Sequence, residues 1–323
     1  MEKLHDQTLR DLFQAHRNRR FFMVESGGNA GDGLIVAGAD FLARSEGLDT
    51  VSLTLTEFDE TKVGPDDAVY IHGGGGYNPW CSGRVAESLR RAVRSEAALV
   101  IQGPQSYDDR ESYTSRILPE ILADAKVAEI HLFVRENTSL ELLKKVDTRG
   151  ARVGMDVDTA LQLTAEEFRR MAGIDEGRYH LLALREDNEA PGEIAIQAEG
   201  VRLDPARFAR SFPHWLRIHA AAKTIHANRT HSAVAGAILG VPTTLYAGSY
   251  HKNRSIWEHS LRDRGVIWGE YREVRQPPDA AATPQPDAGL GGTIGRVRNS
   301  WKVRQVIDRL RRIRFRMRGV PFQ

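Results

Sequence analysis

Residues 21–44 read FFMVESGGNAGDGLIVAGADFLAR, and the succession of residue types there decides the fold. Phe21–Val24 is a short apolar run of strand length. Ser26–Gly33 holds four glycines, and the apolar residues from Leu34 to about Arg44 are spaced for a helix. Strand, glycine-rich loop and helix in that order make the first half of a parallel crossover. Outward from it, the pattern predicts strands at Val51–Leu55, Val69–His72, Leu99–Gln102 and Ile130–Val134, with Gly73–Gly76 breaking the chain. Helices are predicted around Val85–Val93 and Ser139–Lys145. The spacing of Leu4, Leu9, Leu12 and Phe13 predicts another at the N-terminus.

The alternation restarts beyond Ala172–Arg178. Tyr179–Leu184, Thr224–Ala227 and Thr243–Tyr246 read as strands, and Thr230–Leu239 as a helix stopped by Gly240 and Pro242. The expected class is α/β, with two Rossmann-like domains (residues 1–172 and 173–276) whose parallel sheets face a cleft. A Pro/Ala/Gly-rich linker (277–295) and a basic amphipathic helix (296–323) complete the expected organisation. Open α/β sheets bind ligands beyond the carboxyl ends of their strands, so the loops that follow strands are the candidates for chemistry.

Charged residues make up 27% of the 323 and the AVILMFWYC set 41%, which supplies a core and excludes wholesale disorder. No apolar run approaches the ~20 residues that span a bilayer. The charged N-terminal stretch lacks the apolar centre of a secretory signal. Cys81 is the single cysteine, so a disulfide framework or thiolate metal cluster is excluded. A cytoplasmic protein is expected. The net charge of +2 hides ten Lys/Arg against one acid in residues 296–318, which leaves −7 on the remainder. None of the 11 histidines falls in a grouping with metal-ligand spacing, and no metal site is expected.

Among the loops, Gly27–Gly33 lets backbone approach a ligand at a helix N-terminus, with Asn29 and Asp32 flanking Gly31; read alone, it is better taken as a tight strand–helix turn. Four consecutive glycines, Gly73–Gly76, directly after an apolar strand point to backbone lying against a ligand at Gly74 and Gly75; the alternative is a flexible surface loop. Gln105 and Ser106 follow a further strand. Arg135, at a strand end before a helix capped by Thr138 or Ser139, presents a fork to phosphate or carboxylate, or else makes a surface salt bridge with Glu136 or Glu141. Arg185 poses the same alternatives. His231, next to Arg229 and Thr230, falls in the first turn of a helix, where the dipole favours a bound anion; otherwise it is a packed interface histidine. His251, Lys252 and Arg254 form a basic loop after the strand Thr243–Tyr246.

In their order, these segments resemble the polysaccharide pyruvyl transferase family, from about Phe21 to Trp268. The family's N-x-G-D loop is similar to Asn29–Asp32, its glycine-rich strand end to His72–Gly76, and its P-Q-S segment to Pro104–Ser106. Its R-(D/E)-x-x-S element resembles Arg135–Ser139, its D-x-A-x-x-L segment Asp158–Leu163, and its R-x-D-x-E element Arg185, Asp187 and Glu189. The most distinctive element, R-x-H-x-x-x-x-A-x-x-x-G-x-P, resembles Arg229–Pro242, with Gly236 where alanine is common; S-Y-x-K resembles Ser249–Lys252.

The resemblance implies a GT-B-like fold, phosphoenolpyruvate as co-substrate with no other cofactor, and a saccharide acceptor that becomes a pyruvate ketal. On that footing His231 and Asp32 are the expected catalytic pair. Arg135, Arg185, His231 and Lys252 are expected to bind the donor. Asn29, Gly31, Gly74, Gly75, Gln105, Ser106 and Arg229 are expected to line the acceptor side. A nucleotide-sugar glycosyltransferase would use the same kind of cleft. A nucleic-acid-binding role, prompted by the basic tail, lacks any recognised binding signature and sits poorly with an acidic body. The tail either meets anionic lipid near a lipid-linked acceptor or packs on the body.

Overall fold

A computed structural model describes residues 3–81, 83–187, 190 and 196–271. Glu189, the linker 277–295 and the basic segment 296–323 lie outside the described residues. The chain from Met1 to Val274 forms one compact unit. Its first sheet contains β1 (Leu4–His5), β2 (Arg20–Glu25), β3 (Asp49–Thr54), β4 (Ala68–Ile71), β5 (Gly74–Tyr77), β6 (Leu99–Tyr107), β7 (Glu129–Val134) and β8 (Arg152–Met155). They run in the order β1-β8-β7-β6-β4-β2-β3, with β5 also on β6. The second sheet contains β9 (Tyr179–Ala183), β10 (Val201–Leu203), β11 (Ala222–Ala227), β12 (Thr243–Tyr246) and β13 (Val266–Gly269), in the order β10-β9-β11-β12-β13. Every described pairing is parallel. The Rossmann-like α/β class holds.

The alternation of β2 explains why its sequence is continuously apolar. Phe21 and Met23 face one core with Leu9, Leu12, Tyr70, Ile101 and Phe133. Phe22 and Val24 face another with Val69, Ile71 and Val100. A strand covered on both faces has no polar side to show. The helix Gly33–Ser45 then packs Ala39 and Leu42 on the first of these cores, while Leu34 joins Trp215, Ala233 and Val234 in a third. One helix thus ties the two sheets together. Phe168 and Ala172, on the helix Ala165–Ala172, bury themselves in that same third core.

Several local expectations need correction. Leu4 lies on β1, paired with β8, and the helix begins only at Leu9, where Thr8 and Asp11 form a capping box. Leu55 opens a helix rather than ending a strand, because Thr54 caps it reciprocally with Glu57. Gly74–Tyr77 is no break but a strand on β6, which itself runs on to Tyr107. Backbone pairing needs no side chain, and at Gly73, just before the strand, none would fit: a Cβ there would lie 2.1 Å from the Pro104 carbonyl oxygen. Among the described residues, no helix is long and apolar enough to cross a membrane.

Candidate active site

The carboxyl ends of β2, β4, β6 and β7 bring the sequence-selected loops together. After β2, Asp32 precedes the first turn of its helix without capping it. Its Oδ2 accepts the Asn29 N–H at 2.7 Å, and Asn29 Oδ1 accepts the Gly31 N–H at 2.8 Å, which winds the loop tightly. A Cβ on Gly31 would come 3.4 Å from the His231 Cβ, so this loop lies directly against the second sheet's helix.

Arg135 follows β7 and is 1% exposed. It makes no surface salt bridge with Glu136 or Glu141. Its Nε donates to Ser106 Oγ at 2.9 Å, and its Nη1 donates to Oδ2 of the buried Asp158. The helix that follows is capped by Glu136, not by Thr138 or Ser139: the Glu136 carboxylate accepts the Ser139 N–H at 3.1 Å. Asp158 reaches the site because Gly38 lets the turn Thr159–Gln162 rest on the helix Gly33–Ser45, where a Cβ would lie 2.0 Å from the Thr159 carbonyl oxygen. Thr159 Oγ1 donates to the Ile35 carbonyl at 3.0 Å and fixes that contact. Burial alone would push the Asp158 carboxyl up. The Arg135 guanidinium and the His231 ring outweigh burial and hold it well below the usual carboxylate range.

His231 sits in the first turn of the helix Thr230–Leu239, as the sequence predicts. Its Nδ1 is 3.4 Å from Asp32 Oδ1 and its Nε2 3.6 Å from Asp158 Oδ2. Two carboxylates therefore flank one imidazole, an arrangement suited to passing a proton. Across the site, a Cβ on Gly75 would lie 3.0 Å from Arg135 Nη2 and 3.4 Å from Lys252 Nζ. Two cations thus face a bare stretch of backbone. Gln105 lies beneath: its Oε1 is buried without a hydrogen-bond partner, and a Cβ on Gly74, at φ +151°, would sit 3.7 Å from it. His72, sealed under the same strand end, has its ring ionisation pushed down by burial to about 3.

Arg185 sits in an ion-pair network. Its Nε and Nη2 donate to Asp187 at 2.8 and 3.1 Å, and its backbone N–H donates to Asn228 Oδ1. Arg229 joins this network through Asp187 and grips Asp204 with two bonds of 2.6 Å. Together these ion pairs fix the turn that delivers His231. Sequence reasoning gave no role to the residues that lock Lys252 in place. Asn253 accepts from Thr230 Oγ1 at 2.7 Å and donates to the Asn228 and Tyr246 carbonyls at 2.9 Å. Ser255 Oγ donates to Glu136 Oε2 at 2.7 Å. Lys252 is thus fastened between the residue after Arg135 and the residue before His231. Asp158 was visible only as part of a motif, because its task depends on residues distant in sequence.

No group of three or more His, Cys, Asp or Glu among the described residues is placed to hold a metal ion. No curated protein matches the chain. Its fold is similar to the crystal structure of a functionally uncharacterised protein from Klebsiella pneumoniae subsp. pneumoniae NTUH-K2044. The TM-score is 0.59 at 20% sequence identity, over 81% of this chain and 96% of that one. Residues 29–250, which span the site loops from Asn29 through His231 and stop just short of Lys252, match the family model for polysaccharide pyruvyl transferase, and the chain belongs to that family.

Proposed function

We propose that this family member moves the pyruvyl group of phosphoenolpyruvate onto two hydroxyls of one sugar, closing a cyclic ketal. The observation that carries the reading is the meeting of Arg135 and Lys252 over the bare backbone of Gly75, with His231 coupled to Arg135 through Asp158. That set suits a small ligand carrying both a phosphate and a carboxylate. Arg135 and Lys252 hold the donor's anionic groups, and Arg185 orders Arg229 through Asp187.

In this scheme, the terminal methylene carbon of the donor takes a proton from His231, and the positive charge develops at the carbon bearing the phosphate. A sugar hydroxyl attacks that carbon and gives its proton to Asp32, directly or by way of His231. The carbon–oxygen bond to phosphate breaks, and a second hydroxyl of the same sugar closes the ketal, its proton passing to the departing phosphate, which leaves as hydrogen phosphate. The two sheets are read as facing each other in the GT-B manner. For a lipid-linked acceptor, the basic residues of 296–318 supply attraction to an anionic membrane, worth roughly 1 kcal/mol per Lys or Arg at the surface. Flotation with anionic liposomes, with and without residues 296–323, tests that part.

The deciding experiment is a thermal-shift screen of the full chain against phosphoenolpyruvate, inorganic phosphate and a panel of nucleotide sugars. Stabilisation by phosphoenolpyruvate is the expected result. Stabilisation by a nucleotide sugar alone would replace the proposal with a glycosyltransferase.

A further inference from the structure

Two short arms lead away from the Gly75–Lys252 meeting point and end against each other. On one, Asn78 Nδ2 donates to the Gly75 carbonyl at 2.8 Å and Asn78 Oδ1 accepts the Cys81 N–H at 2.9 Å, which folds the loop and fixes Trp80 on its outside. On the other, Tyr250 stands two residues before Lys252, with Lys252 Nζ 5.0 Å from its ring centroid. The Trp80 and Tyr250 rings meet edge to face at 5.2 Å. Arg110 lies over both, its Cζ 3.9 Å from the Trp80 centroid and 5.1 Å from that of Tyr250. Arg110 is itself pinned, because Nε donates to both oxygens of the buried Asp108 at 3.2 and 3.3 Å. Trp80 nevertheless remains 38% exposed, one of five large apolar side chains so placed among the described residues.

A tryptophan held rigid by a stacked arginine, yet open to solvent, is poorly explained as core. Its position beside the donor cations gives it a use. We infer that Trp80, braced by Arg110 and Tyr250, is the platform on which the acceptor pyranose rests. The sugar's C–H face lies on the indole, and its hydroxyls turn toward Gly75 and Lys252. Aromatic surface of this kind binds through apolar contact while leaving the polar rim of the sugar free to react. The inference rests on the donor reading for which end of the sugar reacts, but binding of the sugar itself does not.

The test titrates wild-type protein, Trp80→Ala and Trp80→Phe with methyl α- and β-glycosides of glucose, galactose, mannose and N-acetylglucosamine, followed by calorimetry without donor. Phosphoenolpyruvate thermal shifts are recorded on the same samples. At least one glycoside should bind. Its affinity should fall roughly tenfold or more in Trp80→Ala and stay within about threefold in Trp80→Phe. The donor shift should be unchanged in both variants. Failure of every glycoside to bind, or equal affinity in Trp80→Ala, overturns the platform. So does a loss of donor shift in Trp80→Ala equal to the loss of sugar binding, because that marks a structural role. Uridine monophosphate binding in place of glycosides, with the same dependence on Trp80, overturns it in favour of a nucleobase. If wild-type protein shows no donor shift while glycoside binding still depends on Trp80, the donor reading falls and the platform stands.

Discussion

Oδ2 of Asp158 lies 3.6 Å from Nε2 of His231 and at the same time accepts a hydrogen bond from Nη1 of Arg135. One buried carboxylate oxygen therefore joins an arginine at the end of β7 to a histidine in the first turn of a helix on the other sheet. Removing one member of such a pair leaves the other buried without compensation. Asp158→Asn keeps the shape and deletes the charge, and should cost about 3–5 kcal/mol of stability. Urea unfolding of the variant measures this. Adding Arg135→Gln to Asp158→Asn should then cost far less than Arg135→Gln alone, since the two share one interaction. Additive losses would show that they do not act as a pair.

Gly75 offers a more selective change. Its φ lies outside the left-handed region, so alanine is tolerated by the backbone, but the new methyl would press on Arg135 Nη2 and Lys252 Nζ. Gly75→Ala should leave the urea midpoint nearly unchanged while weakening phosphoenolpyruvate binding roughly tenfold, about 1.4 kcal/mol. Thermal shifts across a donor titration give the number. Unaltered donor affinity would move the anion site elsewhere.

The parts of this site that were legible in sequence are those written locally. A strand buried on both faces shows as an apolar run, and a loop leading into a helix shows as glycines before periodic apolar residues, so the Asn29–Asp32 and Arg229–His231 segments stood out. The glycine strand Gly74–Tyr77 did not, because it pairs through backbone alone. The helix Tyr113–Ala123 carries Pro119 in its interior, which breaks the expected pattern. The helix Phe212–Ala220 did carry a signal, with Ser211 capping it and Pro213 in its first turn. Asp158 carried none beyond its place in a motif, and Asn253 carried none at all. A polar residue in an irregular turn acquires meaning only when the fold supplies its partners.

Acidification should reveal two sealed histidines. His219 donates through Nδ1 to the Trp215 carbonyl at 2.8 Å, with Nε2 2.9 Å from Ser232 Oγ, next to His231 in the chain. Burial pushes its ionisation down to about 4 despite the carbonyl's pull, and burial takes His72 to about 3. In the unfolded chain both titrate near 6.5. Between the folded and unfolded values the unfolded state binds more protons, so stability rises with pH and is lost as pH falls below about 6.5. From pH 7 to pH 5 each should cost about 2 kcal/mol. His219→Gln should remove about 2 kcal/mol of the loss between pH 7 and 5, read from urea midpoints. A variant whose midpoint falls as steeply as the wild type's would mean that this ring is not sealed.

His231 separates two roles that the proposed chemistry gives it. If it only grips the donor phosphate, His231→Ala should abolish the phosphoenolpyruvate thermal shift. If it delivers the proton, the shift should survive while turnover falls by roughly 10²–10⁴-fold. The geometry favours delivery: Asp32, 3.4 Å from Nδ1, can pass back the proton it takes from the hydroxyl, while the permanently ionised Asp158, 3.6 Å from Nε2, holds the ring in place. Asp32→Asn should then slow turnover without altering donor affinity, because Asp32 meets the hydroxyl side of the reaction. Carried out in D₂O, the transfer should place one deuterium on the methyl group of the ketal, the mark of protonation at the donor's terminal carbon. Two or three deuteriums on that methyl would show the protonation to be reversible, and a donor shift lost in His231→Ala would return the histidine to a binding role.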